Sequence, residues 1–165
     1  MTGTEMTHQT GDTEVRVEFA VDAPIETAFD VFTTGMDTWW PRSHHIGSGE
    51  LAEVVVEPRV GGRLLGREAD GTECPWGRVL EWDRPRRLVF SWDISLDWKF
   101  QPDPALTSRV EVTFTPVDDR RTAVTLVHDG FTAQGQGWQA MRDAVGGPGG
   151  WPGLADTYAR TAAAA

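Results

Sequence analysis

The chain has 165 residues, enough for one domain with a substantial core, and its formal net charge is −10 with a pI near 4.7. This acidity argues against nucleic-acid partners and anionic membrane surfaces, because both require basic patches. One cysteine, Cys74, no apolar run near the ~20 residues that span a bilayer and no signal-peptide pattern together predict a cytoplasmic protein without disulfides or membrane partners.

The opening segments predict a disordered lead, a strand and a helix. Residues 1–13 are polar, and we expect disorder there before a single domain over residues 14–165. Residues 14–21 alternate apolar with mostly charged side chains, which predicts a half-buried strand. Asp22 and Pro24 mark the start of a helix. Its apolar stripe consists of Ile25, Ala28, Phe29 and Phe32.

The middle of the chain predicts an antiparallel sheet. A short helical turn over 36–40 and a loop come first, and turn signals then separate six segments with strand character. These segments are 50–57, 63–68, 72–83, 86–95, 109–116 and 122–129. Strands joined by hairpins pair antiparallel, so we expect a sheet with one packed face and one wet face.

The C-terminal part predicts helices that cover this sheet. Residues 137–145 show helical spacing, the sequence GGPGG follows at 146–150, and a second helical pattern runs over 151–165. One face of the last helix carries Trp151, Leu154, Ala155, Tyr158 and Ala162. Since several of these side chains are small, the helix could leave space above the sheet, and the overall layout is α+β.

Eight short segments carry a family resemblance. They are Ala23-Pro24 with Phe29, Trp39-Trp40-Pro41, Val60-Gly61-Gly62, residues 77–81, 85–92, 110–114 and 122–128, and Gly149-Gly150-Trp151. In this order they resemble the SRPBCC superfamily (START-like, Bet v 1-like), and within it bacterial single-domain members of the group named after activators of heat-shock protein 90 ATPase. The resemblance implies the helix-grip fold: a curved antiparallel β-sheet wrapped around a long C-terminal α-helix, with short helices after the first strand and a cavity between sheet and helix.

Aromatic residues are the main candidates for a binding site. Eight tryptophans against one tyrosine exceed ordinary core needs and suggest a pocket for an apolar or aromatic molecule. Trp92 shares a strand register with Leu88 and Phe90, which places it in the core or cavity wall. The predicted ligand-binding residues are Trp39, Trp40, His44, Trp76, Phe90, Trp92, Trp98, His128, Trp151 and Tyr158, of which Trp39, Trp40 and Trp98 are expected at the mouth.

Three residues are candidates for general acid–base chemistry. His128 follows Val124 and Leu126 in one register, so it faces the cavity if they do; the alternative is a satisfied structural histidine. Glu81 is the carboxylate expected to point inward, with a solvated outer position as the alternative. Tyr158, on the inner face of the last helix, needs a hydrogen-bond partner from the protein, water or ligand.

Metal and nucleophile chemistry find little support in the pattern. His44 and His45 are adjacent, so their side chains diverge, and no HxxxH or HExxH spacing is present; we predict a polar rim of the cavity and no metal site. No GxSxG elbow occurs, and GGPGG lacks the lysine of a phosphate loop, so it is interpreted as a flexible break.

Three hypotheses follow. The preferred one is binding of a small apolar or aromatic molecule between sheet and helix, without a cofactor. The second is a cofactor-independent cyclase, dehydratase or hydrolase on the same cavity. The third is a protein-interaction module resembling a co-chaperone, which an exposed tryptophan patch would favour. The resemblance also leaves a homodimer open.

Overall fold

The computed structural model describes residues 6–165, so the prediction of disorder for residues 1–5 lies outside the described chain. Its strands are β1 (Thr7–Thr10), β2 (Val15–Val21), β3 (Leu51–Val56), β4 (Arg63–Glu68), β5 (Glu73–Asp83), β6 (Arg87–Trp92), β7 (Ser108–Asp118) and β8 (Arg121–Asp129). Its α-helices are α1 (Ile25–Phe32), α2 (Trp138–Gly146) and α3 (Trp151–Ala164). The predicted strand after the lead, the early helix and the six later strands are confirmed.

The strands form one antiparallel sheet in the order β1-β2-β8-β7-β6-β5-β4-β3. Helix α3 packs on β2 and α1, and α2 precedes it across a break at 147–150. This arrangement confirms the α+β helix-grip fold. The predicted inner face of α3 is also confirmed, because Trp151, Leu154, Ala155, Tyr158 and Ala162 are all buried. None of the helices among residues 6–165 is long and apolar enough to cross a membrane.

Strand β1 corrects the prediction of disorder for residues 7–10. It pairs with β2, with Thr7 opposite Glu18 and Thr10 opposite Val15. All four of its side chains are exposed, so the strand is held by its backbone ladder to β2. An ordered strand that buries no side chain leaves no apolar alternation in the sequence, which is why the pattern indicated disorder.

The opposite edge of the sheet, β3, is irregular. A bulge interrupts its pairing with β4 between Leu51 and Glu53. Near it, the backbone N–H of Val54 donates a hydrogen bond of 2.8 Å to the Asp37 carboxylate, which follows α1 in the turn Met36–Thr38. The Asp37 side chain therefore satisfies a backbone N–H of this edge strand that could otherwise pair with a strand from another molecule.

A second bulge decides the position of Glu81. The pairing of β5 with β6 shifts between Val79 and Glu81, so one extra residue interrupts the alternation of side chains. Leu80 and Glu81 consequently both lie on the exposed side, and Glu81 pairs with Arg87 at 3.2 Å. The expectation that Glu81 points inward is wrong, because it assumed an unbroken period of two residues.

Candidate functional site

A cavity of about 350 Å³ lies between β4, β5 and β6, the loop that precedes β3, and the break between α2 and α3. Its lining is dominated by apolar and aromatic side chains. The lining residues are Trp40, Ser43, His44, His45, Ile46, Leu51, Val54, Gly66, Trp76, Trp92, Ile94, Trp98, Ala144, Val145, Gly149, Gly150, Trp151 and Leu154. The helix break contributes two glycines to the wall, so backbone rather than side chains borders the cavity there.

Indole rings form much of the cavity wall. Trp40 and Trp76 are stacked, with ring centroids 5.0 Å apart and planes inclined by 20°. Trp92 contacts Trp76 edge-on at 5.8 Å and lies 5.8 Å from Trp151. Trp98 lines the cavity and is 46 % exposed, so it stands at the mouth. Of the predicted ligand-binding residues, the cavity thus brings together Trp40, His44, Trp76, Trp92, Trp98 and Trp151.

The other predicted residues belong to the core around the cavity. Trp39 donates its indole N–H to the Val31 carbonyl at 2.7 Å, and Phe90 lies behind Trp76 and Trp151. The remaining two members, Tyr158 and His128, are fully buried away from the lining.

Tyr158 is held by the protein itself. Its hydroxyl donates a hydrogen bond to the Ala28 carbonyl of α1, and its ring packs edge-on against Phe19 and Phe32. Burial raises the pKa of Tyr158 well above its usual range. The neutral hydroxyl is hydrogen-bonded to the backbone and ties α3 to α1. Of the partners that the sequence left open, protein, water or ligand, the protein is the one observed, so the hydroxyl is not available to a ligand.

His128 lies directly behind the indole wall. Its Nδ1 accepts a hydrogen bond of 3.0 Å from the indole N–H of Trp151, so the ring proton of the neutral imidazole sits on Nε2. Nε2 then donates to the Ser108 hydroxyl at 2.8 Å, and the ring stacks on Phe131 at 4.4 Å. Desolvation by burial lowers the pKa of His128 to about 3. Both nitrogens are occupied within the protein, so the structural alternative describes this histidine.

The depressed pKa of His128 predicts a loss of stability in mild acid. Because the folded pKa, about 3, lies below the ordinary value near 6.5, the unfolded chain binds one more proton in between, and stability falls as the pH drops below about 6.5. The expected slope is about 1.4 kcal/mol per pH unit. Urea unfolding at several pH values from 7 to 5 measures it.

His128→Asn is the matched variant for that measurement, because its amide oxygen can still accept from Trp151 while it cannot titrate. We expect the difference in unfolding free energy between variant and parent to shrink as the pH falls. The same slope in both proteins would contradict a neutral, buried His128.

His45 is a site residue for which the sequence indicated only a polar rim. Its Nε2 lies 2.8 Å from Oε2 of Glu68, and both side chains are nearly buried, 8 % and 6 % exposed. The same carboxylate oxygen accepts the Gly49 N–H at 2.8 Å and is the acceptor for the Cys74 thiol at 3.7 Å. Glu68 is 23 residues from His45, so no local motif signals the pair.

Among residues 6–165, one group of three side chains is of the types that can bind a metal ion. They are His45, Glu68 and Cys74, and their potential ligand atoms lie within 4.8 Å of one another. The separation between His45 Nε2 and Glu68 Oε2 is that of a hydrogen bond. Desolvation, followed by the Glu68 charge, raises the pKa of Cys74, which keeps the thiol protonated as a donor. We therefore describe the set as hydrogen-bonded partners.

Comparison with known proteins gives a family match and several similar folds. The family model described as "Activator of Hsp90 ATPase homolog 1-like protein" matches residues 22–151. No curated protein sequence matches the chain. The solved structure of the anthrahydroquino-γ-pyrone synthase Txn09 is 37 % identical, with a TM-score of 0.64, covering 92 % of this chain and 98 % of that one.

Two further structures extend the comparison. The self-sacrificing resistance protein CalC from Micromonospora echinospora is 28 % identical, with a TM-score of 0.65 and coverage of 92 % and 94 %. An Hsp90 activator from Plasmodium falciparum is 23 % identical, with a TM-score of 0.50 and coverage of 71 % and 72 %, and this likeness shows the fold alone.

Proposed function

Because the chain belongs to the family of activator of Hsp90 ATPase homolog 1-like proteins, within the SRPBCC superfamily, we propose that it binds a flat aromatic small molecule in the cavity between the sheet and the C-terminal helices. The observation that carries the proposal is the indole-lined cavity of about 350 Å³, a volume within the ~300–1,000 Å³ range of ligand sites. Stacked and edge-on rings favour another π-system over an alkyl chain.

The comparison supports the same ligand class. The most identical of the reported structures is named as a synthase of an anthrahydroquino-γ-pyrone, which is a fused aromatic compound. Trp40 and Trp76 already cover one face of each other, so a fused ring system of that kind would pack against the aromatic wall that this stacked pair forms together with Trp92. A catalytic role on the same cavity is the second candidate, and it is favoured by the presence of one partly free imidazole, that of His45, in the wall.

Binding is tested by titrating the protein with 1,8-dihydroxyanthraquinone and, separately, with lauric acid. We expect the anthraquinone to quench tryptophan fluorescence and to raise the melting temperature, because a ligand that binds only the folded state stabilises it. Isothermal titration calorimetry gives the dissociation constant. Lauric acid should bind at least about tenfold more weakly, since aromatic stacking contributes about 0.5–1.5 kcal/mol per pair beyond area burial. Equal affinity for the anthraquinone and lauric acid, or no detectable binding of either, contradicts the proposal.

Trp76→Leu is expected to weaken anthraquinone binding by about tenfold. Leucine keeps an apolar wall but removes one of the indoles that line the cavity. An aromatic contact between the ligand and such a ring is expected to contribute about 1–3 kcal/mol. Calorimetry on both proteins measures the change. The control is Trp138→Leu, because Trp138 lies in the first turn of α2 outside the lining and contacts Arg142. Equal weakening in both variants would contradict a stacking role for Trp76.

A further inference from the structure

The His45–Glu68 pair is placed where it can act on a bound molecule. His45 lines the cavity, while Glu68, at the end of β4, lies behind it. Most of the remaining lining is apolar, so a single nitrogen acceptor in this wall has few competitors for a polar group of the ligand. The Gly49 N–H and the Cys74 thiol also donate to this carboxylate, so Glu68 is held in place as the partner of the imidazole.

The contacts of Glu68 fix the tautomer of His45. Hydrogen bonds from His45 and then from the Gly49 N–H lower the pKa of Glu68, so this group is a carboxylate that only accepts. The proton in the 2.8 Å contact therefore belongs to Nε2 of His45. In the neutral imidazole the lone pair is then on Nδ1, and a carboxylate on the far side stabilises the cation that forms if Nδ1 takes a proton.

Nδ1 of His45 makes no hydrogen bond to any of residues 6–165. It lies beside Gly66 of β4, and both residues line the cavity. A Cβ atom at position 66 would be only 3.0 Å from Nδ1 and would cover it, so the absent side chain leaves this nitrogen accessible. The wall also contains Trp92, whose buried indole N–H has no acceptor within the described chain.

We infer that the cavity selects ligands that carry an acidic hydroxyl, a phenol or an enol, and that Nδ1 of His45 accepts the proton of that hydroxyl. The inference rests on the proposed function and specifies its ligand. In the transfer the O–H bond breaks, its electron pair stays on oxygen, and an N–H bond forms at Nδ1. Nε2–H remains bonded to the Glu68 carboxylate, which keeps its charge, so an imidazolium stands beside a phenolate or enolate.

Accepting the proton of a ligand hydroxyl requires a free nitrogen, which His45 has and the titratable groups near it lack. His44 is tied to the Gly149 carbonyl through Nε2 at 2.8 Å and to Ser43 through Nδ1 at 3.2 Å. Cys74 contacts the carboxylate of Glu68 and is not part of the lining. Among the groups around this wall, His45 therefore combines a free acceptor with an ionic support, the arrangement of a general base and its orienting carboxylate.

The test compares 4-nitrophenol with 4-nitroanisole, which has the same ring but no acidic proton. At a pH where free 4-nitrophenol is mostly protonated, we expect it to bind at least about tenfold tighter than 4-nitroanisole, because a charge-assisted hydrogen bond contributes about 1.5–3 kcal/mol. The bound molecule should also show the visible absorption band of nitrophenolate. Both measurements use the unmodified protein.

Two variants assign the effect to the pair. His45→Gln keeps an N–H donor for Glu68 but removes the basic nitrogen, so the phenolate band should vanish and the preference should fall below about twofold. Glu68→Gln keeps acceptors for Gly49 and removes the charge, so the band should weaken. Glu53→Gln, on the exposed side of the neighbouring strand β3, is the matched control and should retain the band.

The outcomes separate the two proposals. Equal affinity of the unmodified protein for both nitro compounds overturns the inference about His45 while the aromatic cavity stands. A phenolate band that survives in His45→Gln overturns it as well. If neither nitro compound nor the anthraquinone binds, the proposed function itself fails. Circular dichroism and the melting temperature of each variant show whether it is folded, and the comparison of the two ligands needs no variant.

Discussion

Replacing Trp151 by alanine is expected to lower the free energy of unfolding by about 3–5 kcal/mol. Trp151 begins α3, is 1 % exposed and contacts Trp40, Phe90 and Trp92. Removing the indole opens a void between the helix and the sheet and also withdraws the hydrogen bond to His128. Urea unfolding followed by far-ultraviolet circular dichroism measures the change.

Trp151→Phe separates the two contributions. Phenylalanine keeps most of the packing but lacks the N–H, so Nδ1 of His128 is left buried without a donor, at an expected cost of about 1–3 kcal/mol in addition to a small cavity. The control is Trp138→Phe in α2, where the ring is only partly buried and we expect a change within about 0.5 kcal/mol. A Trp151→Phe variant as stable as the parent would contradict the role of this hydrogen bond.

Gly150→Ala is expected to destabilise the protein by about 3 kcal/mol, the upper part of the range for overpacking. A Cβ atom at position 150 would lie 2.1 Å from the carbonyl oxygen of Val145, and this neighbour is backbone that cannot rotate away. The break between α2 and α3 must then widen, which shifts the start of α3 and the cavity wall that Gly150 provides. Thermal and urea unfolding measure the loss.

Gly149→Ala is the adjacent control. A Cβ atom there meets nothing within 4 Å, and the backbone is not in the left-handed region. We therefore expect a neutral change or a gain of about 0.4–1 kcal/mol from the reduced entropy of the unfolded chain. Equal destabilisation by both substitutions would show that chain flexibility at the break, and not the contact with Val145, determines the requirement for glycine.

The periodicity of apolar side chains was sufficient to predict most of the fold. The alternation in β2 and β8 and the spacing along α3 follow directly from which faces are buried, and each of these predictions is confirmed. Periodicity gives no signal where a strand buries no apolar side chain, as in β1, or where the backbone departs from a regular period, as at the bulge before Glu81. Neither feature can be recognised from the alternation of apolar and polar residues in the sequence.

The candidate site was less predictable than the fold. The indoles of Trp40, Trp76 and Trp92 all reach the cavity, and the composition already indicated an aromatic pocket. The sequence could not show that Trp40 lines the cavity while its neighbour Trp39 packs in the core, because this depends on how the segment before β3 folds back. His128 was placed correctly inside the sheet, yet Trp151 covers it, a contact between residues 23 positions apart. The pairing of His45 with Glu68 also joins distant positions, so a single sequence holds no signal for it.

The two edges of the sheet bear on how copies of this chain can associate. At one edge β1 is only four residues long and entirely polar, and at the other a bulge and the Asp37 carboxylate disturb the ladder groups of β3. Short, polar and bulged edges are poor templates for a strand from another molecule. A homodimer is therefore expected to use helices or sheet faces rather than a sheet that continues from one protomer to the next.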